Sequence, residues 1–198
     1  MDNFDLKAYL AVNPLLQEEE NKEQVVVNDL KDEMSAILKT MDAEFTKASK
    51  GEGDKQSTNE GFLTVASIAI ALPAVMGLIA KLGKAAGNTI NKILGKKPND
   101  ASEYQQWMTK LGGIADNLHH LYMAPIEGIV KKFIKDPGKA KKVSSGIFHA
   151  IVAVFLIASG ATAVKALQSK HLSMATLEGA LAAVKGGELK GFITKLMV

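Results

Sequence analysis

Histidines, carboxylates and lysines are the residue types here that could do chemistry, and spacing decides how much. His119-His120 is the adjacent histidine pair of the chain. On a helix, neighbouring side chains diverge by about 100°, so these two do not converge on one ion. No cysteine among the 198 residues can add a thiolate, and no carboxylate at ligand spacing completes a metal set. His149 lies in an apolar stretch and His171 near a helix end, and the histidines read as exposed or internally satisfied. His149 and Glu127 could join a serine as base and orienter, but nothing in the sequence fixes that geometry. Glu18-Glu19-Glu20 is a solvated charge run. The segment Gly77 to Ala85 has a superficial likeness to a phosphate-binding loop. It places five residues between its glycines where four are needed, and lacks both a Ser/Thr after Lys84 and a preceding strand. No catalytic residue, metal or cofactor is expected, and an enzyme is not the expected class.

All 24 basic residues are lysine. Without arginine there is no bidentate fork to read guanine or clamp a carboxylate. Lys131, Lys132, Lys135, Lys139, Lys141 and Lys142 form a cluster suited to the phosphates of nucleic acid or of lipid headgroups. Nucleic-acid binding usually adds stacking aromatics or arginines, and here only Phe133 and Phe148 are near. The cluster abuts an apolar stretch, so a lipid bilayer or its anionic headgroups is the expected partner. The plainer alternative is a solvated bundle face with some anion affinity.

The elements that must position these residues all have helical period, and no repeat or convincing strand is visible. The expected class is all-α. Residues 1–61 carry net charge −7, residues 62–164 net +7 and residues 165–198 net +3. This reads as an acidic helical arm over 1–50, a polar linker over 51–60 and a hydrophobic, lysine-rich helical body over 61–198. The arm either stands free or folds back and neutralises the body. A short helix is expected over Phe4–Val12, ended by Pro14. A longer one spans about Gln24 to Ser49, with Leu30, Met34, Ile37, Met41, Phe45 and Ala48 along one face. Ser57-Thr58-Asn59-Glu60 matches a capping box that opens the body.

Two uncharged stretches dominate that body, Phe62–Ala80 and Val143–Val164, about 28 and 33 Å long as helices. Lysines flank both. A cationic amphipathic segment follows the first as far as Pro98. Tyr104 to Lys135 reads as one helix or as two meeting near Pro125, and Asp136-Pro137-Gly138 as a turn. A closing amphipathic pair spans Leu172–Val184 and Leu189–Val198. Bilayer hydrocarbon demands helical, nearly charge-free crossings, which both stretches satisfy, so a two-helix transmembrane hairpin is one reading. The other makes them central helices of a soluble bundle, in keeping with their many alanines. Gly83 and Gly87 have small-xxx-small spacing, which carries little weight by itself. The first residues show neither the basic nor the apolar region of a cleavable signal peptide, and with Asp2 after the first Met no N-myristoyl anchor is expected.

Asn3-Phe4-Asp5-Leu6-Lys7-Ala8-Tyr9-Leu10-Ala11-Val12-Asn13 resembles an N-terminal segment of uncharacterised tailed-bacteriophage proteins, chiefly marine ones. That pattern runs aromatic-Asp-Leu-Lys into Tyr-Leu-Ala-Glu-Asn, and this chain has Val12 at the glutamate position. The resemblance covers about a dozen residues. It implies a phage origin, recruitment into the particle and no activity. The expected function is therefore a non-enzymatic phage protein at a membrane, either an internal virion component released at infection or a holin-like permeabiliser. The alternative is a soluble helical virion or assembly protein whose arm docks on a partner. Other virion proteins and further copies of the chain are expected partners, nucleic acid is not, and the virion or a host membrane is the expected location.

Overall fold

The computed structural model describes residues 28–52, 60–95, 98–161 and 163–197. Within them are α1 (Lys31–Glu52), α2 (Glu60–Leu94), α3 (Ala101–Lys131), α4 (Pro137–Ser159), α5 (Met174–Gly186) and α6 (Leu189–Met197). A 3₁₀ turn at Val164–Ala166 interrupts the link between α4 and α5, and no strand occurs among the described residues. The protein is all-α. The expected helix over Phe4–Val12 and the first three residues of the capping box lie outside the described residues.

The apolar period read in the arm is the seam that docks it. Leu30, Met34, Ile37, Met41 and Phe45 are all fully buried, and α1 packs on α2 and α3. Burial of such side chains contributes about 1.5–3 kcal/mol each. The ion pair from Asp42 to Lys132, 2.7 Å long and roughly half exposed at both ends, belongs to a class that contributes about 0–1 kcal/mol. Apolar contact therefore holds the acidic helix down, and charge complementarity is secondary. Of the two arrangements the charge segregation allows, α1 adopts the folded-back one.

Both long helices run through a proline. Pro73 in α2 and Pro125 in α3 are exposed, and a carbonyl left unpaired on that face can be met by water. The uncharged stretch and the cationic segment after it thus form one helix, which stops at Gly95 with φ +81°. Likewise Tyr104–Lys131 is a single helix. Asp100 starts it by accepting from the Glu103 N–H at 2.8 Å, while the Glu103 carboxylate accepts from the Asn99 N–H at 3.0 Å.

Helix α4 is the centre of the molecule. Every residue from Gly146 to Leu156 is buried, on all faces of the helix, and α2, α3, α5 and α6 all pack against it. Asp136 caps its start by accepting from the Lys139 N–H at 2.8 Å, and Pro137 occupies the first turn. The predicted turn at 136–138 is thus the helix start. Gly160, at φ +79°, ends α4 at Ser159. This shortens the second uncharged run to about 25 Å of helix, less than the stretch to Val164 suggests.

Glycines set how α4 meets its neighbours. A Cβ on Gly83 would collide with Val154 Cγ1, and one on Gly87 would lie 2.7 Å from the Ala158 backbone. The spacing Gly83-xxx-Gly87 therefore faces Val154-xxx-Ala158, and both pairs advance in the same direction. Helices α2 and α4 run side by side and parallel, with α3 returning between them in sequence. In this folded bundle the glycine register gives the two helices the same sense, whereas the arms of a hairpin run antiparallel. A third close approach lets the link after α4 cross α3, where a Cβ on Gly112 would collide with the Gln168 carbonyl oxygen.

Two substitutions should therefore act with opposite sign. Gly87→Ala meets backbone that cannot move aside and should lower stability by about 1–3 kcal/mol. Gly77→Ala has nothing within 4 Å of the new methyl. It should raise stability by about 0.5–1 kcal/mol through helix propensity. Urea unfolding followed by helical circular dichroism measures both, and equal effects would contradict the α2–α4 seam.

Candidate functional site

The six clustered lysines occupy one corner of the bundle, built from the end of α3, the loop 132–136 and the first turns of α4. The loop is pinned from below. Phe133 and Ile134 are buried, and the Phe133 ring meets Phe45 of α1 edge-on at 5.7 Å. Backbone bonds from Phe133 and Ile134 to the Val130 carbonyl, at 3.0 and 2.9 Å, tighten the end of α3. Between them the side chains of Ala140 and Val143 turn inward, so the neighbouring lysines turn out.

All six lysines are exposed. Lys131 pairs with Glu127 one turn earlier at 2.7 Å, and Lys132 with Asp42 of α1 at 2.7 Å. The Asp136 carboxylate is committed to its helix cap. Lys139, Lys141 and Lys142 pair with no carboxylate among the described residues, and they stand at the positive end of the α4 dipole. The corner can bind polyanions by charge, with ammonium groups that reach outward from a fixed base. Beside it begins α4, which among the described residues is the helix long and apolar enough to cross a membrane. In the folded bundle 78% of its most apolar window is buried.

The histidines gather elsewhere, where α3, α4 and the link to α5 meet. His119 of α3 stacks on His171 with ring centroids 4.7 Å apart and planes 1° from parallel. It also meets Phe148 of α4 edge-on at 5.2 Å. His149 is 2% exposed. Its Nδ1 donates to the Ser145 carbonyl at 2.6 Å, and its Nε2 accepts from the Ser173 N–H at 3.0 Å. Those partners require the neutral ring with its proton on Nδ1. Burial depresses the His149 pKa, with the bond to Ser145 acting in the opposite sense. Burial also depresses that of His119, followed by repulsion from His171 and His149.

Asp116 anchors the same link from α3. It accepts from the Ser169 hydroxyl and from the backbone N–H groups of Lys170 and His171, both at 3.1 Å. At the other end, Tyr104 Oη accepts from the Ala163 N–H at 2.9 Å. Glu127 sits with Lys131 at the lysine corner, apart from these groups. The Ser145 hydroxyl lies 3.3 Å from Nδ1 of His149, which already carries a proton toward a carbonyl. The hydroxyl therefore faces no free base. An open cleft of about 370 Å³ lies between the end of α2 and the start of α3, lined by Pro98, Asn99, Glu103, Gln106, Trp107 and Lys110 among others.

The lysine cluster and the apolar surroundings of His149 were legible in the sequence. The approach of Asp42 to the corner and the stacking of His119 on His171 were not, since these contacts join residues far apart in the chain. Asp116 gave no local signal, whereas the spacing of Gly83 and Gly87 was visible but common. Comparison with models of protein families, with curated proteins and with solved structures finds no match.

The fold and the charge of the corner should be separable. Asp136→Ala removes the α4 cap and should cost about 1 kcal/mol of stability. Lys139→Gln, Lys141→Gln and Lys142→Gln alter exposed side chains and should each change it by less than about 0.5 kcal/mol. Thermal melts of the four variants check this, and a large loss in the lysine variants would give those residues a structural role.

Proposed function

We propose that this chain is a non-enzymatic helical protein that acts at an anionic membrane surface. The observation that carries the reading is the exposure of the six lysines at the corner where the apolar α4 begins. Three of them, on α4, pair with no carboxylate among the described residues, and the loop beneath is held by buried aromatic contact. Such a corner attracts anionic headgroups without requiring the bundle to open. The similarity of residues 3–13 to tailed-phage proteins supports a role in infection, as an internal virion component or a permeabiliser at lysis. The burial of α4 favours a second reading, a soluble virion or assembly protein whose central helix never leaves the core.

Vesicle sedimentation distinguishes the two. The full chain should pellet with vesicles rich in anionic lipid, stay in the supernatant with neutral ones, and release as salt rises. Each lysine near such a surface contributes about 1 kcal/mol, so the triple glutamine variant at 139, 141 and 142 should bind about a hundredfold more weakly. Resistance of the bound protein to alkaline carbonate would extend the reading to insertion. Absence of binding to anionic vesicles leaves the assembly protein as the better account.

A further inference from the structure

Beside the bonds from Asp116 and Tyr104, the link from α4 to α5 is held against the bundle by contacts that need neutral histidines. His149 presents a lone pair to the N–H of Ser173, the residue that caps α5 through its hydroxyl. A second proton on His149 would occupy Nε2 and turn an acceptor into a donor facing another donor. It would also place a charge on a side chain 2% exposed. His119 and His171 stack face to face at 4.7 Å, so protonating both sets like charges in contact.

We propose that this three-histidine joint is an acid-sensitive latch that releases α5 and α6 from α4. The charged and titratable groups around it are few. From α3 come His119, His120 and Asp116, and from the link Lys170 and His171. The carboxylate of Asp116 is already engaged by Ser169 and by two backbone N–H groups, so it answers new positive charge from a fixed and shared position. Lys81 and Lys92 of α2, Glu178 and Lys185 of α5, and Lys190 and Lys195 of α6 occupy exposed positions. No further described carboxylate bonds to the joint.

The sign follows from linkage. The closed form holds His149 and His119 below the ordinary value, chiefly through burial, so the open form binds more protons. The latch is therefore at full strength above about pH 6.5 and weakens as pH falls through that value. What opens is specific. The α6 side chains Ile193 and Leu196 lie against Gly146 of α4, and Ala183 and Leu189 share a small cavity with Val154. Release of α5 and α6 bares this face of the central helix while α1, α2 and α3 keep their own seams. The inference concerns an opening step and does not depend on whether the lysine corner binds lipid.

Amide exchange by mass spectrometry on the full chain tests it, with rates corrected for the intrinsic effect of pH. Between about pH 7.5 and about pH 5, exchange over residues 174–197 should accelerate at least about tenfold relative to α1 and α3. His149→Gln keeps an acceptor for Ser173 but cannot titrate, and should remove most of that acceleration. Uniform acceleration across all helices, none at all, or an unchanged response in His149→Gln would overturn the proposal. Should that variant fail to fold, the ring-proton titration of His149 in the parent chain decides instead. Its midpoint must coincide with the opening transition, and a midpoint away from it rejects the latch.

Discussion

A helix that is apolar on every face has no side to turn to water, and the arrangement of this molecule follows from enclosing one. From Gly146 to Leu156 no position of α4 tolerates solvent, so neighbours are required all round it. Four helices supply them, and α1 lies outside that ring against α2 and α3. A chain of 198 residues has little material for such a shell. The shell closes because backbones approach closely at glycine: Gly83 and Gly87 on α2, and Gly146 on α4 under the side chains of α6. Each close approach increases dispersion contact and excludes any larger residue.

Enclosure also explains where charge goes. The polar side chains buried along α4 complete their bonds: Ser144 and Ser159 donate back to carbonyls of their own helix, and His149 uses both ring nitrogens. The exposed lysines described in the body lie at helix ends and outer faces, and the α3–α4 corner collects several because two helix ends and a short loop meet there. The acidic helix α1 sits close enough to answer one of them through Asp42 but is held by its apolar seam. Local charge at the corner is thus a by-product of topology as much as of composition.

Much of this was legible in the sequence. The heptad-like run from Leu30 to Phe45 identified the buried face of α1 without help, because amphipathic period and burial are the same information seen twice. The uncharged run of α4 and the lysines before it were equally plain. Helix continuity through Pro125 was not, since a proline's cost depends on whether its face meets water. Nor was the parallel sense of α2 and α4, which rests on two glycines whose spacing is common in any alanine-rich helix. The histidine joint was least accessible: His119, His149 and His171 belong to three different segments, and only the crossing at Gly112 and the anchor at Asp116 bring them together.

The parallel placement of α2 and α4 has a consequence for how the chain is made. Neighbours that run the same way cannot be joined by a short turn, so the whole of α3 must be threaded between them before Gly87 can meet Ala158. During synthesis α1 can cover one side of α2 early, since the two are adjacent in sequence and pack directly. The side of α2 that carries Gly83 and Gly87 stays without its partner until the last turn of α4 has left the ribosome. For that interval the nascent chain displays its most apolar segment unaccompanied, which makes chaperone capture or premature adsorption to a bilayer a competitor of folding.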